Sequence, residues 1–192
     1  MRRFISVVLR LLLVHQPATA CRFYLLEFDD PRFPTGAIES FSRRAAQDMR
    51  DSGGVATEFQ NGMEYHLHQE LLRNSSLRTD NPDEANFVFV ANYGTYQWSS
   101  CPKGVHPAKC MSEDSKHTED ALKLAQQSEL WKRRGGKDFV FVLGHPHAYA
   151  KFRDQIKHSI CLVVDTDLAP GLTNYMVIPY VVTRDAIPSA TT

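Results

Sequence analysis

The sequence predicts one α/β domain: a Rossmann-like parallel sheet with helices packed against it. Three observations lead there. Short, continuous apolar runs rich in Val and Phe, at 87–90, 139–143 and 160–164, have the composition of strands buried on both faces. Between them lie stretches whose apolar residues recur at helical spacing, and strands alternating with helices build a layered sheet with right-handed crossovers. The 192 residues, 43% hydrophobic and 23% charged, suffice for one full core and leave little room for a second.

The first twenty residues read differently from the rest. Met1, Arg2 and Arg3 form a short basic start, Phe4 to Val14 is apolar apart from Arg10, and Ala18-Thr19-Ala20 offers small residues where signal peptidase reads. Residues 1–20 are therefore expected to be a secretory signal peptide or a short membrane anchor. The apolar run would span only ~16 Å as a helix, well short of the ~30 Å hydrocarbon core. A buried N-terminal element, or a lipoprotein signal ending at Cys21 with Ala18 in place of the usual Leu, are the competing readings. Cleavage after Ala20 would remove Arg2, Arg3 and Arg10 and leave 19 basic against 22 acidic groups. Such a near-neutral balance gives no electrostatic reason to expect nucleic acid as a partner.

From Arg22 to Phe28 the chain is β-prone and mostly apolar, until Asp29-Asp30-Pro31 and Pro34 break it into a loop. A polar helix is expected at 37–50. A second, with Met63, Leu67 and Leu71 on one face, is expected from Gly62 to Arg73. Asn81-Pro82-Asp83-Glu84 combines a capping side chain, a proline at the first helical position and early acids, which predicts one helical turn just ahead of the Phe87 strand. Ala121, Leu122, Ala125 and Leu130 predict a helix from about Ser115 to Trp131. No Gly-x-Gly-x-x-Gly follows the first strand, and no nucleophile elbow, Walker loop or His-Glu-x-x-His pair is present. A dinucleotide cofactor and the common hydrolase chemistries are thus not indicated.

In a secreted chain the cysteines take on a definite reading. Cys101 and Cys110 bracket CPKGVHPAKC, an irregular Pro/Gly loop, and a disulfide closing it would contribute roughly 2.5 to 3 kcal/mol. A zinc site on Cys101, His106, Cys110 and His117 is the alternative, with spacings that miss the usual paired pattern. Cys161, inside an apolar run, reads as a core thiol, and Cys21 could reach it only from a neighbouring strand. Asn74-Ser75-Ser76 is a glycosylation sequon.

Residues 68–96, HQELLRNSSLRTDNPDEANFVFVANYGTY, resemble the N-terminal half of the exostosin-type glycosyltransferases. The features that carry the likeness are His68, Glu70, Leu71 and Leu72, then Arg78-Thr79, Asn81 to Asn86, the strand at 87–90 and Tyr93. Three further stretches arrive in family order: FYLLEFDDPRF at 23–33, LWKRRGGKDFVFVLGH at 130–145 and NYMVIPYV at 174–181. The resemblance covers about residues 22–182. It implies the N-terminal half of a two-domain GT-B glycosyltransferase, with this domain (residues 21–187) carrying the acceptor side and a facing domain holding the nucleotide-sugar donor. Eleven residues follow Val181, so residues 188–192 read as a tail, the donor-binding half as absent, and the chain alone as inactive.

Ligands of open α/β sheets bind beyond the carboxyl ends of the strands. That rule marks Asp29, Asp30, His145, His147, Asp165 and Asp167 as acid/base candidates; solvated loop residues or helix caps are the plainer reading of each. His145, at the matching family position and with an ordinary pKa of about 6.5 suited to proton transfer, is the first choice for a base, with Asp165 second. Many members have Asp after this His, where Pro146 and His147 stand here. Trp98, with Tyr96, could stack on a sugar ring or pack in the core; Lys132, Arg133 and Arg134 could face an anionic sugar or phosphate, and His147 is a further substrate-binding candidate. Lys132-Arg133-Arg134 also reads as a helix end favoured by the helix dipole. No bound metal or cofactor is expected on this domain. The resemblance implies transfer of a sugar to a glycan or polysaccharide acceptor in the secretory pathway, in the Golgi lumen or membrane, with another glycosyltransferase subunit as a possible partner. A secreted or lumenal non-catalytic domain that binds a glycan or a partner is the alternative. A metal-dependent hydrolase using His145, His147 and Asp165 is a third reading.

Overall fold

Phe23–Glu27 (β1), Phe87–Ala91 (β2), Phe139–Leu143 (β3), Ile160–Val163 (β4) and Tyr175–Val177 (β5) form one five-stranded sheet in the order β1-β2-β3-β4-β5. The computed structural model describes residues 21–27, 63–91, 93, 118–144 and 149–178. Every pair is parallel, with Phe23 opposite Phe87, Val88 opposite Phe139, Phe141 opposite Cys161 and Leu162 opposite Met176. The outer edge of β1 is partly covered by a bridge to Arg78, where Phe23 N–H donates to Leu77 O at 2.8 Å and Thr79 N–H donates to Phe23 O at 2.9 Å.

All five residues of β3 are buried, as a central parallel strand covered on both faces requires. Alternation along the strands divides the core in two. Phe89 of β2, beside Val140 of β3, meets the helix Met63–Arg73 (α1), with its ring stacked on that of His68 at 6.0 Å. Phe139 and Phe141 face the other way and take the edge of Trp131 at 4.8 and 6.5 Å. Trp131 belongs to the helix Glu129–Arg134 (α3), so helices cover both faces of the sheet. Each fully buried Phe or Leu contributes about 1.5–3 kcal/mol, which makes β3 and its neighbours the frame on which loop residues can be held.

The expected strands are found within one or two residues of their predicted limits, and α1 begins one residue later than expected. Asn81 caps a 3-10 turn at Pro82–Glu84, its Oδ1 accepting from Asp83 N–H at 3.1 Å. One expectation needs amending. The stretch from about Ser115 to Trp131 is not one helix: residues 118–127 (α2) are helical, and Ser128 then starts α3 afresh. The Ser128 hydroxyl donates to Ala125 O at 2.5 Å and accepts from Trp131 N–H at 3.2 Å, so a single serine closes one helix and caps the next. The re-aimed α3 puts Trp131 onto β3. Arg153–Ile156 (α4) and a 3-10 turn at Thr166–Leu168 flank β4.

Gly135 and Gly136 end α3 in the left-handed region, with φ of 61° and 73°. Gly136 N–H returns to Trp131 O at 3.1 Å, the hydrogen bond expected of such a cap. Residues 1–20 and the helix expected at 37–50 lie outside the described residues. Among the described residues no helix is long and apolar enough to cross a membrane.

Candidate functional site

Parallel strands leave their last residues around one edge of the sheet. Glu27 is the last residue of β1, and Tyr93 follows the end of β2 by two residues. The first turns of α1 lie between them in space. Glu64 and His68, four residues apart, share a helix face, and both are buried, at 2% exposure each. Glu64 Oε1 accepts from Tyr93 N–H at 2.6 Å. His68 Nδ1 is hydrogen-bonded to the Tyr93 hydroxyl. Its Nε2 lies 3.0 Å from Glu27 Oε1, in a close polar contact that is not aligned along the N–H direction.

The electrostatics fix the direction of this chain. Burial holds His68 below the usual imidazole range, against the upward pull of the nearby Glu27 carboxylate. The ring is therefore neutral near pH 7. A carboxylate can only accept, so the ring proton sits on Nε2 toward Glu27, and Nδ1 accepts from the Tyr93 O–H. Burial first, then the charges of Glu64 and Glu27, push the Tyr93 phenol well above its ordinary range and keep it a hydrogen-bond donor. The Glu27 side chain is 56% exposed while that of His68 is 3% exposed, so the relay runs from a buried phenol to a carboxylate at the surface.

Two tyrosines near this edge have a left-handed backbone, Tyr93 with φ 52° and Tyr149 with φ 55°. For a residue with a Cβ that costs about 1–2 kcal/mol, and it persists only where the surroundings over-determine it. At Tyr93 the cause is visible: Glu64 holds its amide and His68 its hydroxyl. Tyr149 is buried against Phe141, ring centroids 5.2 Å apart. Its hydroxyl has no hydrogen-bond partner among the described residues. Burial, with the Glu64 charge adding to it, raises this phenol too.

Of the residues expected from the sequence, those that are described lie apart from this cluster. Asp165 does stand at the carboxyl end of β4, where its Oδ1 accepts from Asp167 N–H at 3.2 Å and from the Thr166 hydroxyl at 3.4 Å, capping the 3-10 turn. Arg133 and Arg134 lie at the opposite, amino edge. Arg133 reaches Asp138, just ahead of β3, at 3.6 Å and donates to Pro82 O at 3.3 Å, while Arg134 is 4.0 Å from the same carboxylate. Asp138 is 4% exposed, so these arginines brace a buried anion and pin α3 to the start of β3. Asn74 sits in the turn after α1, its Oδ1 accepting from Ser76 N–H at 3.2 Å and from the Ser76 hydroxyl at 2.7 Å. Cys21, just ahead of β1, and Cys161, on β4, are both buried free thiols; β2 and β3 lie between β1 and β4, so no bridge joins them. His145, His147, Trp98, Tyr96, Cys101, Cys110, Asp29 and Asp30 lie outside the described residues. Among those described, no group of three His, Cys, Asp or Glu side chains is arranged to hold a metal ion.

Sequence reasoning passed over Glu27, Glu64, His68 and Tyr93 as site residues. Glu27 ends β1, but the β-prone stretch read from the sequence runs on to Phe28, which put Glu27 inside the expected strand and the strand end at Asp29 and Asp30. The partnership of His68 with Tyr93, 25 residues away, has no local spacing signal.

No curated protein and no solved structure matches this chain. The family model of the exostosin GT47 domain matches residues 21–181, which spans every strand of the sheet and all four members of the cluster at its carboxyl edge. The chain thus belongs to the exostosin GT47 family of glycosyltransferases.

Proposed function

We propose that this domain is the acceptor-binding half of a secretory-pathway glycosyltransferase, which moves a sugar from a nucleotide-sugar donor to a glycan acceptor, the donor being held by a facing domain. The observation that carries the reading is the braced polar cluster at the carboxyl edge of a parallel sheet, within a stretch matched by the exostosin GT47 model. Sugars are recognised through hydroxyls, which need fixed acceptors and donors on a rigid support. A carboxylate beside a buried His–Tyr pair meets that need. The sheet's carboxyl edge is also where α/β folds take their ligands. Inverting transfer requires removal of the acceptor hydroxyl proton and stabilisation of the departing diphosphate, and the groups at this edge suit the first task better than the second.

A glycan array probed with the purified chain tests the reading. Retention on a subset of neutral glycans, not displaced by free nucleotide sugars, is the expected result. Preferential capture of nucleotide sugars, or no retention on any glycan, would overturn it.

A further inference from the structure

We infer that Glu27 is the residue that anchors the acceptor: its carboxylate takes the hydrogen bond of a hydroxyl on an uncharged sugar unit, and His68 and Tyr93 are the positioning residues that hold it there. This rests on the acceptor-binding reading above. Glu27 is the one member of the cluster that reaches solvent, with a side chain 56% exposed. Only Oε1 is engaged, by His68, and Oε2 has no partner among the described residues.

The support behind Glu27 is unusually complete for a half-exposed carboxylate. His68 is 2% exposed and stacks on Phe89, so its ring cannot swing away without opening the core. Its far nitrogen is tied to Tyr93, whose amide is held by Glu64 and whose backbone is left-handed. A surface carboxylate with no role would not need three buried residues to aim it. The contact between Glu27 and His68 is close but poorly aligned, as sites often are before the ligand tightens them.

The local charge also selects the ligand. The Glu27 and Glu64 carboxylates lie around a neutral imidazole and a protonated phenol. Such a place attracts hydroxyl donors and repels carboxylated sugars.

The test is a set of titrations of the full chain with cellotetraose, xylotetraose, mannotetraose and tetragalacturonic acid, read by calorimetry and by long-range NMR of the His68 ring nitrogens. The wild type is expected to bind at least one neutral tetrasaccharide and to bind the tetragalacturonate more weakly. Loss of a hydrogen bond to a charged acceptor predicts binding weakened about tenfold or more in Glu27→Ala. Glu27→Gln should be weakened less, and Tyr93→Phe, which removes one oxygen atom, about threefold or more. Saccharide should shift the His68 Nε2 resonance in the wild type and not in Glu27→Gln, a signature that a purely structural histidine would not give. Saccharide binding that is unchanged in Glu27→Ala and Glu27→Gln would overturn the assignment while leaving the acceptor-binding reading intact. Failure of the wild type to bind any of the saccharides would overturn both.

Discussion

Replacing Gly136 with Ala tests the claim that α3 is stopped where it is so that Trp131 can lie on β3. Gly135 and Gly136 both have positive φ, of 61° and 73°. Each alanine therefore carries a backbone cost of about 1–2 kcal/mol. The two sites differ in what surrounds them. A Cβ on Gly135 would meet nothing within 4 Å, whereas one on Gly136 would lie 2.4 to 2.6 Å from three carbons of the Trp131 indole. The indole cannot yield cheaply, since its edge is set against Phe139 and Phe141. Displacing it forfeits two aromatic pairs, each contributing about 0.5–1.5 kcal/mol beyond burial. Gly136→Ala should thus cost about 2–5 kcal/mol and Gly135→Ala about 1–2 kcal/mol. Urea unfolding followed by circular dichroism would read both as midpoint shifts at constant slope. In a Trp131→Leu background the excess cost of Gly136→Ala should largely vanish. Equal losses at the two glycines, or an excess that survives removal of the indole, would refute the reasoning.

Three other expectations follow from the same structure. Burial and the nearby Arg73 charge lower the His66 pKa to about 4, so the folded protein resists protonation that the unfolded chain accepts from pH 6.5 downward. Stability is full above pH 6.5 and falls by up to about 3 kcal/mol as the pH drops to about 4, at ~1.4 kcal/mol per pH unit, and His66→Gln should show a shallower acid transition in urea titrations across that range. Burial pushes the Cys161 thiol up to about 12, against the opposing effect of Arg153; peptide mapping after iodoacetamide at pH 8 should find it unmodified in the native protein and labelled in urea. At the amino edge, Arg133→Ala deprives the buried Asp138 of a partner and should cost about 2–3 kcal/mol, more than Asp138→Asn, which leaves only partly exposed arginines to be solvated. Neither change should alter saccharide affinity.

How much of this the sequence disclosed depended on whether the governing physics is local. The strands at 87–91, 139–143 and 160–163 were legible because burial on both faces demands unbroken apolar runs. The turn at Pro82–Glu84 was legible because Asn81 caps it two residues away. Ser128 was not, since apolar spacing continues through it and only the geometry shows its hydroxyl serving two helices. The arginines before the double glycine were legible as a helix end, but Asp138, the buried anion they brace, was not, because nothing local marks an aspartate as buried. The candidate site was hardest to see. Its contacts join β1, α1 and the end of β2, and the strand-end rule pointed toward loop aspartates and His145 before the glutamate that closes β1.

The most direct test of the account is where saccharide lands on the domain. In 1H–15N spectra of the full chain titrated with a neutral tetrasaccharide that it binds, the account predicts that the largest amide shifts fall on Glu27, His68 and Tyr93, at the carboxyl edge. Shifts centred on Arg133, Arg134 and Asp138 at the amino edge, with the carboxyl-edge amides unmoved, would contradict it.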